Sequence, residues 1–204
     1  MTAPADHLPR EPAERRVLPY FLAMLAAFAT VPLPPATRAD GGVLMLIVAA
    51  LLTFATVAGL LLVQTLERTA GAVSRWLVAT PVYLTFGTIA LMRHAEGASS
   101  SGFGVLVLLP LLYLSMHTGR RQLLVGLLLM ALTFVTPIVV FGAPDYPSAE
   151  WRRALLWLLV GSIATFTIQR LVANMRVDAR EATSMARTDP LTGLANRRAM
   201  ADTL

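Results

Sequence analysis

Apolar residues in this chain come in long unbroken runs rather than in alternation. After a polar, charged tail at residues 1–16, six runs follow at about 17–33, 43–66, 76–92, 103–117, 123–142 and 154–173. A half-buried strand would alternate with period two, and a helix on the surface of a soluble protein would show one apolar stripe. A helix that crosses a bilayer instead needs about 20 apolar residues, within a range of about 17–25. The second, fifth and sixth runs meet this length, and the first and third lie at its lower limit. The fourth is short and carries Pro110 in its middle, so it fits either a full crossing or a re-entrant segment. The pattern predicts an all-α fold, a polytopic six-helix transmembrane bundle over residues 17–173.

The polar positions between the runs orient the bundle. Six crossings put both termini on one side, which then carries Arg10, Arg15, Arg16, Arg68, Arg75, Arg120, Arg121, Arg170, Arg176, Arg180 and Arg187. The other side carries Arg38, Arg93, Arg152 and Arg153. Cytoplasmic loops hold the excess of basic residues, so both termini are expected in the cytoplasm. The first run fits a retained signal anchor, since its preceding tail holds Asp6, Glu11 and Glu14 and no clear cleavage site follows.

Beyond the last run the pattern changes period. Charges enter at Arg170, Arg176, Asp178, Arg180, Glu181 and Arg187, yet an apolar stripe continues through Ile168, Val172, Met175, Ala179, Ala182 and Ala186. The spacing 4-3-4-3-4 is a heptad seam, which predicts a signalling helix over 168–188 pairing as a parallel coiled coil in a homodimer. The alternative is an amphipathic exit helix lying along the membrane surface. Alanines at the far end of the seam bury little area, so the coil is marginal by itself. Pro190 disfavours helical geometry at the residue before it, so the helix should stop near Thr188.

Composition agrees with the pattern. The 204 residues are 56% hydrophobic and 14% charged, where soluble domains average about 45–50% and about 25%. All 17 basic residues are arginine, for a net charge of +5. They lie between apolar runs without interleaved aromatics, so nucleic acid is not expected as a partner; the lipid bilayer is. With no cysteine there is no disulfide and no thiolate chemistry.

Polar residues within the runs are mainly Thr53, Thr56, Thr80, Thr85, Thr88, Thr133, Thr136, Ser162 and Thr165, whose hydroxyls can bond to their own helix backbone. No acid or arginine lies near the middle of a run, which counts against a proton-coupled pump. His94 and His117 fall on opposite membrane faces, which excludes one shared metal and leaves capping or interfacial roles. Pro19, Pro81, Pro110 and Pro137 fall in separate runs, either shaping a ligand pocket or simply tolerated in lipid. Ala55 with Gly59, and Gly161 with Thr165, are small-xxx-small pairs suited to close helix approach. Tyr20, Trp76 and Trp151 suit an interfacial belt, whereas Trp157 lies inside its run.

The last residues carry the most specific pattern. Asp189-Pro190-Leu191-Thr192-Gly193-Leu194-Ala195-Asn196-Arg197-Arg198 resembles the opening of a GGDEF domain, which begins D-x-L-T-G-L-x-N-R-R after a signalling helix. Asp189, Leu191, Thr192, Gly193, Leu194, Asn196, Arg197 and Arg198 match that motif. GGDEF domains are diguanylate cyclases, which join two GTP molecules into cyclic di-GMP across a homodimer with divalent metal. The resemblance covers about the last 17 residues, and the G-G-[DE]-E-F signature is absent from the 204. The matched segment is structural in that family, so no catalytic, cofactor-binding or metal residue is assigned. No cofactor is expected in this chain; the resemblance implies Mg2+ with GTP only for a catalytic domain.

These readings divide the chain into a cytoplasmic tail at 1–16, a six-span sensor and anchor at 17–173, the helix at 168–188 and a truncated GGDEF start at 189–204. The expected function is the sensory region of a diguanylate cyclase in the bacterial inner membrane, inactive as a cyclase by itself. It would respond to an unknown signal ligand and control cyclic di-GMP synthesis through dimer geometry. The alternative is a small transporter or channel subunit.

Overall fold

The computed structural model describes residues 42–70 and 73–187, together with the single helical position Ala26. Among these residues there are helices and turns but no strand. The long elements are α1 (Gly42–Ala70), α2 (Arg75–Ala95), α3 (Leu108–His117), α4 (Arg120–Val140) and α5 (Ala149–Arg187). Short 3-10 segments at Ala98–Ser100 and Gly102–Val107 lead into α3. Four of the helices, α1, α2, α4 and α5, are long and apolar enough to cross a membrane. The run at 17–33 lies outside the described residues.

The fourth run takes a different form from a simple span. It forms six residues of 3-10 helix followed by the ten residues of α3. A 3-10 helix rises about 2.0 Å per residue against about 1.5 Å for α, so the segment extends about 27 Å. Pro110 falls in the first turn of α3, a position that tolerates proline.

Local chemistry sets the helix ends. Ser74 Oγ accepts from the Trp76 N–H at 3.3 Å and starts α2. Glu96 N–H closes that helix on the Met92 carbonyl at 3.1 Å, and Gly97 then turns the chain with a φ of 98°. The hydroxyls of Thr53, Thr56, Thr80, Thr88 and Thr165 each donate to the carbonyl four residues earlier, as expected of hydroxyls in an apolar surrounding.

α2 sits centrally, packed against α1, α4, α3 and the 3-10 segment, while α5 packs on α3 and α4. The shared core includes Val82, Phe86, Ile89, Leu111, Leu114, Leu123, Met130 and Phe134. Inside a bilayer such contacts gain packing rather than transfer from water, so close backbone approach matters more than area. Two glycines supply it. A Cβ on Gly59 would come within 2.9 Å of the Pro81 ring, and one on Gly161 within 2.9 Å of the Met130 methyl. Of the small-xxx-small pairs, Gly59, Gly161 and Thr165 face neighbours, whereas Ala55 is exposed.

The outward faces remain apolar. Leu44, Phe54, Leu128, Val139, Leu155 and Ile163 are each more than half exposed. A soluble monomer rarely leaves a contiguous apolar surface of such extent. With four helices of spanning length, this marks the chain as a membrane protein.

Candidate functional site

The two ends of the bundle differ in chemistry. At one end, Arg93 in the last turn of α2 meets Glu150 in the first turn of α5, and Ser99 N–H donates to the Asp145 carbonyl at 3.3 Å. At the other, Arg176 donates to the Met116 carbonyl at 2.7 Å, joining the lower part of α5 to the end of α3. The first is here termed the Arg93 end and the second the exit end.

Arg93 corrects the sequence expectation. The third run was expected to stop at residue 92 with Arg93 in a loop, but α2 continues to Ala95 and buries Arg93 to 1% exposure. A buried guanidinium needs partners in every direction. Glu150, at 2% exposure, accepts from Arg93 Nη2 on one oxygen. Its other oxygen pairs with Arg153 Nη1 at 2.7 Å, and Arg153 also donates to the Ser99 carbonyl. The Arg93 guanidinium carbon lies 4.8 Å above the Phe134 ring and 5.4 Å from that of Tyr146. Arg93 Nη1 is buried with no hydrogen-bond partner among the described residues.

An aromatic wall stands beside the ion pairs. His94 stacks on Phe141 with centroids 4.1 Å apart, and its Nδ1 lies 3.1 Å from the Tyr146 hydroxyl. Burial pushes the Tyr146 phenol up to about 12, against the opposing pull of Arg93, so it stays protonated at any physiological pH. His117, by contrast, bonds to the Tyr113 carbonyl one turn back on α3. The two histidines therefore serve separate local contacts.

Between the arginines opens a cavity of about 240 Å³, lined by Arg93, Arg153, the serines Ser99, Ser100 and Ser101, and the rings of Phe134 and Trp157. Trp157 was the aromatic that sat inside its run, and it stacks toward Phe134 at 6.1 Å. Sequence reasoning missed this site. The available signal was a pair of opposite charges, Arg93 and Glu150, each near a run end on the same side of the alternating topology.

The residues singled out in the sequence lie elsewhere. Of the seam, Ile168 and Val172 are half-buried, whereas Met175, Ala179 and Ala182 are exposed; Ala186 lies within the last turns of α5. Ile168 and Val172 continue the phase of Gly161 and Thr165, the face that α5 turns to its own bundle. Motif residues Asp189, Leu191, Thr192, Gly193, Leu194, Asn196, Arg197 and Arg198 lie outside the described residues. Among the described residues no group of three or more His, Cys, Asp or Glu side chains is placed to hold a metal ion. Comparison with family models, with curated proteins and with solved structures finds no match.

Proposed function

We propose that this chain is the sensory and anchoring region of a diguanylate cyclase, set in the bacterial inner membrane with both termini in the cytoplasm. The observation that carries the reading is the uninterrupted 39-residue helix Ala149–Arg187. Its first turn holds Glu150 and Arg153 of the buried ion cluster. Its last turn runs directly into the Asp189-Pro190-Leu191-Thr192-Gly193-Leu194 segment that resembles a GGDEF opening. One continuous helix thus runs from the polar site at one end of the bundle to the residues that precede the GGDEF-like segment.

Charge supports the orientation. The exit end holds Arg68, Arg75, Arg120, Arg121, Arg170, Arg176, Arg180 and Arg187, against Arg93, Arg152 and Arg153 at the Arg93 end. Two of the latter three are paired with Glu150, which lowers the effective positive charge there further. The excess belongs on the cytoplasmic side, where GTP is also found. Residues 17–33 and the 102–117 segment supply the two further crossings that complete six.

In this reading the seam pairs two chains below the bundle. Ile168 and Val172 are partly covered by their own chain, so pairing begins at Met175 and runs through Ala179, Ala182 and Ala186. Each GGDEF domain holds one GTP, so the angular phase of the paired helices governs whether two sites face each other.

A chimera tests this. Residues 1–188 are joined at the D-x-L-T-G-L motif to the catalytic domain of an established diguanylate cyclase, and cyclic di-GMP is measured in cells. Inserting one residue at the junction rotates the domain by about 100°, while seven residues return it to within about 20°. The expected outcome is cyclic di-GMP from the direct fusion, a several-fold change with one or two inserted residues, and recovery with seven. Output independent of insertion length, or none from any fusion, overturns the reading.

A further inference from the structure

We propose that the cavity at the Arg93 end binds a small organic monoanion, a carboxylate carried on a short apolar or aromatic body. This goes beyond the sensory reading and stands without it, because binding is read directly. Charge counting comes first. Glu150 offers two oxygens, and each is taken by a different arginine. The cluster Arg93, Arg153 and Glu150 therefore keeps one positive charge, at a place where Arg93 and Glu150 are almost wholly removed from water. Glu96 and Asp145 lie at the same end but line no part of the cavity. One monoanion neutralises the cluster, whereas a dianion would leave an excess negative charge beside the buried Glu150; Arg153, half exposed, forms the side of the site open to solvent.

Donors point to the same class. Arg93 is 1% exposed and lines the cavity, and its Nη1 has no partner among the described residues. Native structures rarely leave such a group without a reason. A guanidinium presents paired N–H donors that match a planar carboxylate. Across the cavity, Ser101 Oγ accepts from the Phe103 N–H at 3.3 Å, which directs its own O–H to donate elsewhere. One side of the cavity is apolar, made by Val105 and by the Phe134 and Trp157 rings, stacked within 13° of parallel, while Ser99, Ser100, Gly102 and Gly104 complete the lining. This wall solvates a hydrocarbon body rather than a second charged group. The volume, about 240 Å³, lies below the about 300–1,000 Å³ of sites for drug-sized ligands, so the body is small.

The test uses the full 204-residue chain in nanodiscs of zwitterionic phosphatidylcholine. Benzoate is titrated by calorimetry, with tryptophan emission as a second readout. Benzamide supplies the same shape without charge, and inorganic phosphate supplies charge without the ring. Benzoate is expected to bind saturably at one site per chain, at least tenfold more tightly than benzamide or phosphate. Arg153→Gln should weaken benzoate about tenfold, and Arg153→Lys, which keeps the charge, less than that. Gly104→Val removes no charge. A Cβ there meets the Phe134 ring at an ordinary 3.6 Å, and the added methyls fill the cavity, so binding should be lost while helicity is kept. No saturable benzoate binding, or binding unchanged in both Arg153→Gln and Gly104→Val, overturns the proposal. Equal affinity for phosphate and benzoate overturns the carboxylate class. Displacement of benzoate by phosphatidylglycerol added to the discs assigns the cavity to a lipid headgroup instead. None of these outcomes touches the junction-phase experiment on the chimera.

Discussion

Arg93 and Glu150 show why a buried ion pair reports on specificity more than on stability. Removing two charges from water costs several kcal/mol each, and their attraction returns this only with good geometry. The pair is therefore costly to break from one side and cheap to replace from both. Glu150→Gln should destabilise the folded chain by about 3–5 kcal/mol, because it leaves two arginines facing a neutral amide. The double substitution Arg93→Met with Glu150→Leu should recover most of that loss. Thermal unfolding in detergent, followed by circular dichroism, measures both; equal destabilisation by the single and double variants would contradict this account. The pair was illegible in the sequence for a physical reason. Hydropathy ends a run at the first charge, and the partner that allows Arg93 to be buried lies 57 residues away. By contrast, the threonine hydroxyls find acceptors within one turn, so their roles were readable from the residues alone.

At the scale of the element, the long runs translate into helices with small shifts: 43–66 becomes Gly42–Ala70, and 123–142 becomes Arg120–Val140. Length and apolar character suffice for this, because a backbone in lipid must satisfy its own hydrogen bonds. The fourth run departs from the rule: it opens as a 3-10 segment, Gly102–Val107, packed against α2, before α3 begins. α5 is the element on which the proposed dimer would depend. Single cysteines at Met175 and Ala182 should cross-link between chains in membranes, on a background free of native cysteine. Arg176→Cys should cross-link far less, because position 176 faces Met116 of its own chain. Gel mobility under mild oxidation reads the result. Equal cross-linking at all three positions would mean an unpaired helix.

For the molecule as a whole, the proposed topology makes a direct claim. Reporter fusions after Gly71 and Gly119 should report the cytoplasm, and those after Gly97 and Pro147 the opposite side. A cytoplasmic signal at Gly97 would remove the six-span arrangement and the crossing by α2, though four helices of spanning length and apolar character would remain. The length of α5 would make any tilt of it a lever. Its 39 residues extend about 58 Å, and Gly161, where a Cβ would meet the Met130 methyl at 2.9 Å, is taken as the pivot. From Gly161 to Arg187 the arm measures about 39 Å, against about 16 Å from Gly161 back to Glu150. A tilt of about 5° shifts Glu150 by little more than 1 Å, yet carries Arg187 through more than about 3 Å. A displacement that a rearranged ion pair absorbs at the short arm becomes, at the long arm, the width of an atom or more.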